Sequence, residues 1–184
     1  MRFRASRGLR AAGVEEAGAD PVTGTLFVVW EDAANRRDRL NDVVLSRSTD
    51  GGASWSAATR VNTDLSGSAT DHLQPSVAAR GSRVHVVYFT RAVRKGLPSR
   101  LLQLRSMTSS DGGATFGGER TVGPPADLRF AAVVRPGRTR FVGDYVGLAV
   151  STRSLLILWC RSSGPAGPAG FHVRVWAAVM PVAA

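Results

Sequence analysis

Short runs of apolar residues recur along the chain, each bounded by polar or glycine-rich segments. Residues 25–30, 84–89 and 155–159 form the clearest runs, and they are rich in valine, leucine and aromatic side chains. The segments 42–47 and 101–106 mix apolar with polar residues. Runs of this length and composition are typical of β-strands. The pattern therefore predicts an all-β chain whose strands are joined by tight turns and polar loops.

A pattern of the form Ser/Thr-x-Asp-x-Gly-x-Ser/Thr-aromatic occurs at 48–55 and again at 109–116. Each copy lies between two strand-like runs, so each is predicted to form the tip of a β-hairpin. The aspartate can accept hydrogen bonds from its own turn, and glycine allows a positive φ without steric cost. The residues that define the two copies are Ser48, Asp50, Gly52 and Trp55, and Ser109, Asp111, Gly113 and Phe116.

The motif belongs to a longer internal repeat. Trp30, Tyr88 and Trp159 each lie at the end of an apolar run, and a charged or polar residue follows within two positions. The spacing is about sixty residues, which fits one four-stranded unit with its loops. A β-sandwich also has alternating strands, but it offers no natural place for a repeated turn motif. The sequence thus divides into a basic N-terminal segment and three units, at 1–12, 13–63, 64–125 and 126–184.

The two motifs resemble the Asp-box of the sialidase-like, or BNR-repeat, β-propellers. The resemblance implies about three four-stranded blades, half of the six-bladed ring of that family. It also implies that the motifs lie on the outer rim and that their residues are structural, whereas ligands approach the start of each innermost strand. Three explanations for a half ring stay open: a longer chain, a pair of copies that completes the ring, or a truncated, inactive remnant.

Composition narrows the partners and the compartment. The formal net charge is +10, but Lys95 is the only lysine and the arginines are spread along the chain, which argues against a nucleic-acid site. The sequence has no apolar run long enough to span a membrane. Cys160 lies in an apolar run and is predicted to be a buried structural thiol. The first residues lack the apolar core of a secretory signal, although the family resemblance suggests an extracellular or periplasmic location.

The candidate functional residues lie at the predicted starts of inner strands and in the loops after second strands. Those at strand starts are Asp71, His72, Gln74, Asp144 and Tyr145; those in loops are Asp32, Arg36, Arg37, Arg91 and Arg161. The three histidines show no metal-ligand spacing, so we expect neither a metal nor a cofactor.

The resemblance assigns roles to some of these residues. In a sialidase-like site Tyr145 would be the nucleophile, and Asp144 or Asp32 would be the acid/base group. Arg91 and Arg161 would hold a substrate carboxylate, with Asp71, His72 and Gln74 as further substrate contacts. The family's first arginine motif is absent, and the four glutamates, Glu31 among them, fall at positions that do not suit a partner for the tyrosine.

Two classes of function follow. The first is a protein that hydrolyses or binds terminal sugars of glycans, as an exo-glycosidase does. The second is a non-catalytic propeller scaffold for protein–protein contact. Fold alone does not choose between them.

Overall fold

The computed structural model describes Leu9 and residues 15–65, 67–135, 139–164 and 172–182. Within these ranges the chain is built from β-strands and one short 3₁₀ helix, Leu128–Phe130. The all-β class predicted from the apolar pattern is confirmed. No helix in this part of the chain is long and apolar enough to cross a membrane.

Sheet 1 is a four-stranded antiparallel meander. Its strands follow chain order and are β1 (Glu16–Ala19), β2 (Leu26–Asp32), β3 (Asp42–Ser48) and β4 (Thr59–Arg60). β2 and β3 pair along their whole length, from Leu26 opposite Ser48 to Asp32 opposite Asp42.

Sheet 2 repeats this order with longer strands and two added short pairs. Its strands are β5 (Thr70–Arg80), β6 (Arg83–Arg94), β7 (Leu97–Pro98), β8 (Leu101–Ser109), β9 (Gly117–Thr121) and β10 (Ala126–Asp127). The path β5-β6-β8-β9 matches the predicted blade, while β7 pairs with β6 and β10 pairs with β8.

Sheet 3 has three strands in the described part of the chain. They are β13 (Val146–Val150), β14 (Ser154–Ser162) and β15 (Val173–Pro181). Phe141 belongs to a separate pair, β11 (Ala132–Arg135) with β12 (Thr139–Phe141).

Two hydrophobic cores lie between successive sheets. Side chains alternate across a strand, so β6 presents Val86 to sheet 1 and Val87 to sheet 3. The first core joins Val86 to residues such as Phe27, and the second joins Val87 to residues such as Ile157. Sheet 2 therefore lies between the other two and supplies residues to both cores.

The innermost strands of the sheets lie side by side, with β5 between β1 and β13. Gly18 makes the approach of β1 to β5 close, because a Cβ at this position would lie 3.0 Å from the carbonyl oxygen of Val77. Most of the predicted basic segment 1–12 lies outside the described residues. Leu9 is described: it is buried in the second core and bridges to Arg140.

The two repeated motifs form matching turns, which we call the first Asp turn (48–55) and the second Asp turn (109–116). The first joins β3 to β4, and the second joins β8 to β9. In the first, Asp50 Oδ1 accepts from the Ser54 amide at 2.9 Å and from the Ser48 hydroxyl at 2.7 Å. In the second, Asp111 Oδ1 accepts from the Thr115 amide at 2.9 Å and from the Ser109 hydroxyl at 2.7 Å. Hydrogen bonds from the Ser54 and Thr115 side chains to Oδ2, together with those to Oδ1, hold the pKa of each aspartate well below its usual range.

The second Asp turn rests on the neighbouring sheet. A Cβ at Gly113 would lie 3.2 Å from Leu45 Cδ2 and 3.4 Å from Phe27 Cε1, both in sheet 1. Arg47 of β3 donates from Nη1 to the Gly112 carbonyl at 2.6 Å. Each of these contacts joins a turn of sheet 2 to the body of sheet 1.

Candidate functional site

The polar candidates gather at the end of the sheets opposite to the Asp turns. In β2 and β3 the Asp turn follows Ser48, whereas Asp32 and Asp42 pair at the other end. In sheet 2 Ser109 pairs with Val84, whereas Asp71 of β5 pairs with Arg91 of β6 at the far end. The sheet ends therefore separate a structural side from a side rich in buried polar groups.

A β-bulge aims Gln74 at two other elements. The β5–β6 register shifts between Leu73 and Ser76, and Gln74 has a positive φ of 51°. Pro75 follows and has no amide to donate to the ladder. Released from the ladder, Gln74 donates its amide to Glu31 Oε1 at 2.7 Å, and its side chain donates to the Gly143 carbonyl at 2.7 Å.

Glu31, which sequence reasoning placed outside the site, lies against Gln74 and Asn41. Its Oε2 accepts from Asn41 Nδ2 at 3.3 Å, in addition to the bond from Gln74 to Oε1. Burial raises the pKa of Glu31 to about 7, against the opposing effect of the Gln74 bond, and the nearby Asp71 carboxyl raises it further. A carboxyl with this pKa changes protonation near neutral pH.

Asp71 is fully buried beside Asn41. Its Oδ1 accepts from the Asn41 amide at 2.8 Å, while Oδ2 has no hydrogen-bond partner among the described residues. Burial raises the pKa of Asp71 to about 6, and the Asn41 bond and the charges of His72 and Arg91 only partly offset that rise. We call Glu31, Asn41, Asp71 and Gln74 the carboxyl cluster.

His72 connects this cluster to a loop carboxylate. Its Nδ1 lies 2.7 Å from the Asn41 carbonyl oxygen and its Nε2 lies 3.1 Å from Asp64 Oδ1, so each ring nitrogen faces an acceptor. Burial opposes ionisation of Asp64, but hydrogen bonds from His72, Ser68 and Asn62 outweigh it and hold the Asp64 pKa below its usual range. His72 is buried and its ring packs edge-on against Tyr88.

A set of donors that could in principle hold a metal ion is already neutralised by arginine. Asp42, Asp64 and His72 bring one ligand atom each within 4.8 Å of one another. However, Arg60 Nε lies 3.1 Å from Asp42 Oδ2, and Arg36 Nη1 donates to Asp42 Oδ1 at 3.0 Å. The two guanidinium groups supply the positive charge that a metal would bring. Such an arrangement supports ion pairing better than metal binding.

The structure distributes the other predicted residues as follows. Arg36 is buried and donates to both carboxylate oxygens of Asp38, from Nε to Oδ1 at 3.0 Å and from Nη2 to Oδ2 at 2.7 Å. Arg37 is exposed. Asp32 caps a turn by accepting from the Ala34 amide at 2.6 Å. Arg91 is buried, and its Nε donates to the Ser99 carbonyl at 2.7 Å.

The third unit contributes one segment to the cluster. Asp144 and Tyr145 follow Gly143, which is bonded to Gln74, and the Tyr145 side chain is 71% exposed. A Cβ at Gly143 would lie 3.0 Å from Cys160 Cβ, so glycine lets this segment approach β14. Cys160 is half-buried, which corrects the prediction of a buried thiol.

The contacts that the structure describes for Arg161 are with residues outside the carboxyl cluster. Its Nε donates to the Pro125 carbonyl at 2.9 Å, and its guanidinium stacks over the Trp176 ring at 4.6 Å. Arg161 therefore ties β14 to the chain before β10. The structure thus brings Asp71, His72, Gln74 and Arg91 together, and Gln74 contacts Gly143, the residue before Asp144 and Tyr145.

Two of the residues missed from the sequence make long-range contacts: Asn41 donates to Asp71 across 30 residues, and Asp42 accepts from Asn62 across 20 residues. Asn41, Asp42 and Asp64 belong to loops or strand ends with no motif around them. Only the polar character of 31–42, directly after a buried strand, pointed to this region.

Comparison with known proteins identifies the architecture. No family model and no curated protein sequence matches the chain. The fold is similar to that of the α-L-arabinofuranosidase Arb93A from Fusarium graminearum, solved with an iminosugar inhibitor, at a TM-score of 0.50 and 14% identity. It is also similar to the α-L-arabinanase of Penicillium chrysogenum, solved with arabinobiose, at a TM-score of 0.50 and 15% identity.

The chain has the fold of part of a β-propeller. The similarity covers 92% of this chain and 46% of the arabinofuranosidase, and 85% of this chain and 45% of the arabinanase. This propeller chain therefore spans slightly less than half the length of the two solved structures. The predicted blade-type fold is confirmed, with three successive sheets arranged around adjacent inner strands.

Proposed function

We propose that this chain is part of a glycan-directed β-propeller in which Glu31 is an acid–base group. The observation that carries the proposal is the carboxyl cluster: Glu31 is partly exposed at the start of the inner strands and has a pKa of about 7. A general acid for glycoside cleavage needs a carboxyl group that is still protonated near neutral pH. Asp71 is fully buried, so its role is to raise the Glu31 pKa and not to contact the sugar.

The resemblance to sialidase-like propellers supplies the remaining roles. Tyr145 is the proposed nucleophile because it is exposed and lies two residues from the Gly143–Gln74 bond. Asp32 directly follows Glu31 and Asp144 directly follows Gly143 in the chain, and Arg91 pairs with Asp71. The substrate class proposed is a terminal sugar of a glycan, such as a sialic acid. The arabinofuranosidase and arabinanase of similar fold make L-arabinofuranosides the second group to test.

The experiment measures fluorophore release from aryl glycosides of sialic acid and of L-arabinofuranose, together with binding to a glycan array. We expect turnover by the full chain, reduced about 100-fold or more in Glu31→Gln. Tyr145→Phe should also lose turnover while it keeps glycan binding. Glu119→Gln is the matched control, since Glu119 is exposed and outside the cluster.

Binding without turnover would support a lectin-like module and remove the catalytic role of Glu31. Neither turnover nor binding would contradict the glycan proposal and leave the second class, a protein-interaction scaffold. That class is favoured by one observation, the exposed apolar side chains of β14 and β15.

A further inference from the structure

One face of sheet 3 is apolar and exposed. Leu156 and Leu158 of β14 are 37% and 41% exposed, and Val175 and Val179 of β15 are 72% and 67% exposed. The register makes these residues one patch, because Leu156 pairs with Val179, and Val175 pairs with Cys160 on the same strand as Leu158. A contiguous apolar patch of this kind marks an interaction surface.

The internal repeat identifies what this face is built to contact. Val29, Val87 and Leu158 occupy the same repeat position, one residue before Trp30, Tyr88 and Trp159. Val29 and Val87 are completely buried, each covered by the sheet that follows in the chain, whereas Leu158 is exposed. The exposed face of sheet 3 is therefore the face that receives a following blade.

On sheet 1, the face that points away from sheet 2 is only partly covered. Val28, Val86 and Ile157 share the neighbouring repeat position, which faces the preceding blade. Val86 and Ile157 are completely buried by a preceding sheet, whereas Val28 of sheet 1 is only half-buried. Leu26 and Trp30, on the same side of β2, are half-buried as well.

We propose that the exposed face of sheet 3 docks on sheet 1 of a second copy of this chain, and that two copies close a ring. A head-to-tail contact gives either an open filament or a closed ring, according to the rotation per copy. The chain spans 46% of the arabinofuranosidase of similar fold, which is about half of its length. Two copies related by a two-fold axis therefore have about the length that one closed ring requires. Each copy then covers the exposed face of sheet 3 and the partly covered face of sheet 1 of its partner. Shape complementarity and apolar surface determine the specificity of this contact.

The first test is the mass of the full chain in solution by light scattering and sedimentation. We expect a single species of twice the 19.5 kDa of one chain at micromolar concentration. A monomer at high concentration, or an open series of larger species, would overturn the proposal. A monomer would mean that blades of another polypeptide segment cover these faces.

Variants on the two faces test the head-to-tail geometry. Leu158→Asp on sheet 3 and Val28→Asp on sheet 1 should each weaken self-association about 100-fold, because a carboxylate is buried at both contacts. Leu97→Asp is the matched control: Leu97 is 67% exposed in β7, outside both faces, and its variant should stay dimeric. Far-UV circular dichroism shows whether each variant keeps its strands.

Mixing the two variants gives the most specific outcome. In a mixed pair one contact carries both aspartates and the other carries none, so the mixture should associate more strongly than either variant alone. A pairing of sheet 3 with sheet 3 would leave Val28→Asp dimeric and give no recovery on mixing. Either of those results would overturn the head-to-tail arrangement.

Discussion

Gln74 joins three parts of the chain through a single unusual backbone conformation. A positive φ is uncommon for a residue with a side chain, and such residues concentrate where function constrains the backbone. Here the bulge directs the amide to Glu31 and the side chain to Gly143. At the residue scale, the position of the proposed acid therefore depends on a bulge in a different strand.

The raised pKa values of Glu31 and Asp71 predict a pH dependence of stability. Their ordinary values are 4.5 and 3.8, and the folded values are about 7 and about 6. The folded protein therefore holds protons that the unfolded chain has released, and the free energy of unfolding falls as pH rises through this interval. We expect Glu31→Gln to reduce that fall, by an amount of the order of 2 kcal/mol between about pH 5 and pH 7.

Urea unfolding of the wild-type chain and of Glu31→Gln at both pH values measures this effect. The comparison between the two proteins is needed because burial lowers the pKa of His85, which gives a contribution of opposite sign in the same interval. Glu119→Gln should follow the wild type. Equal pH dependence in wild type and Glu31→Gln would show that Glu31 ionises normally in the folded chain.

The local hydrogen bonds of the turns could be predicted from the sequence, whereas the long-range hydrogen bonds of the candidate site could not. The hydrogen bonds of Asp50 span only two to four residues, so the spacing of the motif was enough to predict a turn. The bond from Gln74 to Glu31 spans 43 residues and requires the bulge at Pro75. No pattern around Glu31 encodes that geometry, which is why the glutamate was placed outside the site.

At the scale of elements, the two Asp turns have the same internal bonds and different surroundings. Gly52 and Gly113 occupy the same motif position and both have a positive φ, of 96° and 85°. A Cβ at Gly52 would lie 3.8 Å from Leu26, an ordinary contact, whereas at Gly113 it would lie 3.2 Å from Leu45. The second turn is therefore a packing element as well as a connection.

This difference predicts unequal effects of alanine. Gly52→Ala should cost about 1 kcal/mol from backbone strain alone. Gly113→Ala should cost about 2–4 kcal/mol, since overpacking of Leu45 and Phe27 adds to the same strain. Chemical denaturation of both variants measures the difference. Equal losses would mean that the second turn moves away from sheet 1 without penalty.

At the scale of the whole molecule, sheet 2 couples the two cores. Val86 and Val87 are adjacent in β6, both completely buried, and belong to different cores. We expect Val86→Ala and Val87→Ala each to lower the free energy of unfolding by about 2–3 kcal/mol. Because β6 belongs to both cores, each variant should lower amide-exchange protection in β3 and in β14 together.

Val22→Ala is the control, because Val22 is 61% exposed in a turn and its loss should change stability by about 0.5 kcal/mol or less. Loss of protection confined to one outer sheet would show that the sheets open independently.

The order of strands in the first two sheets followed from the repeat in the sequence. The ends of β5 did not, because they depend on contacts between sheets.

The packing of the second Asp turn on Leu45 and Phe27 also determines how blades can be exchanged between related propellers. A blade cut from the sequence at the limits of its own sheet would leave its turn without the surface on which that turn sits. The unit that can be exchanged between related propellers is therefore a sheet together with the turn of the sheet that follows it. Grafts joined within the loops, with Arg47 and Gly112 kept from the same parent, should preserve that seat.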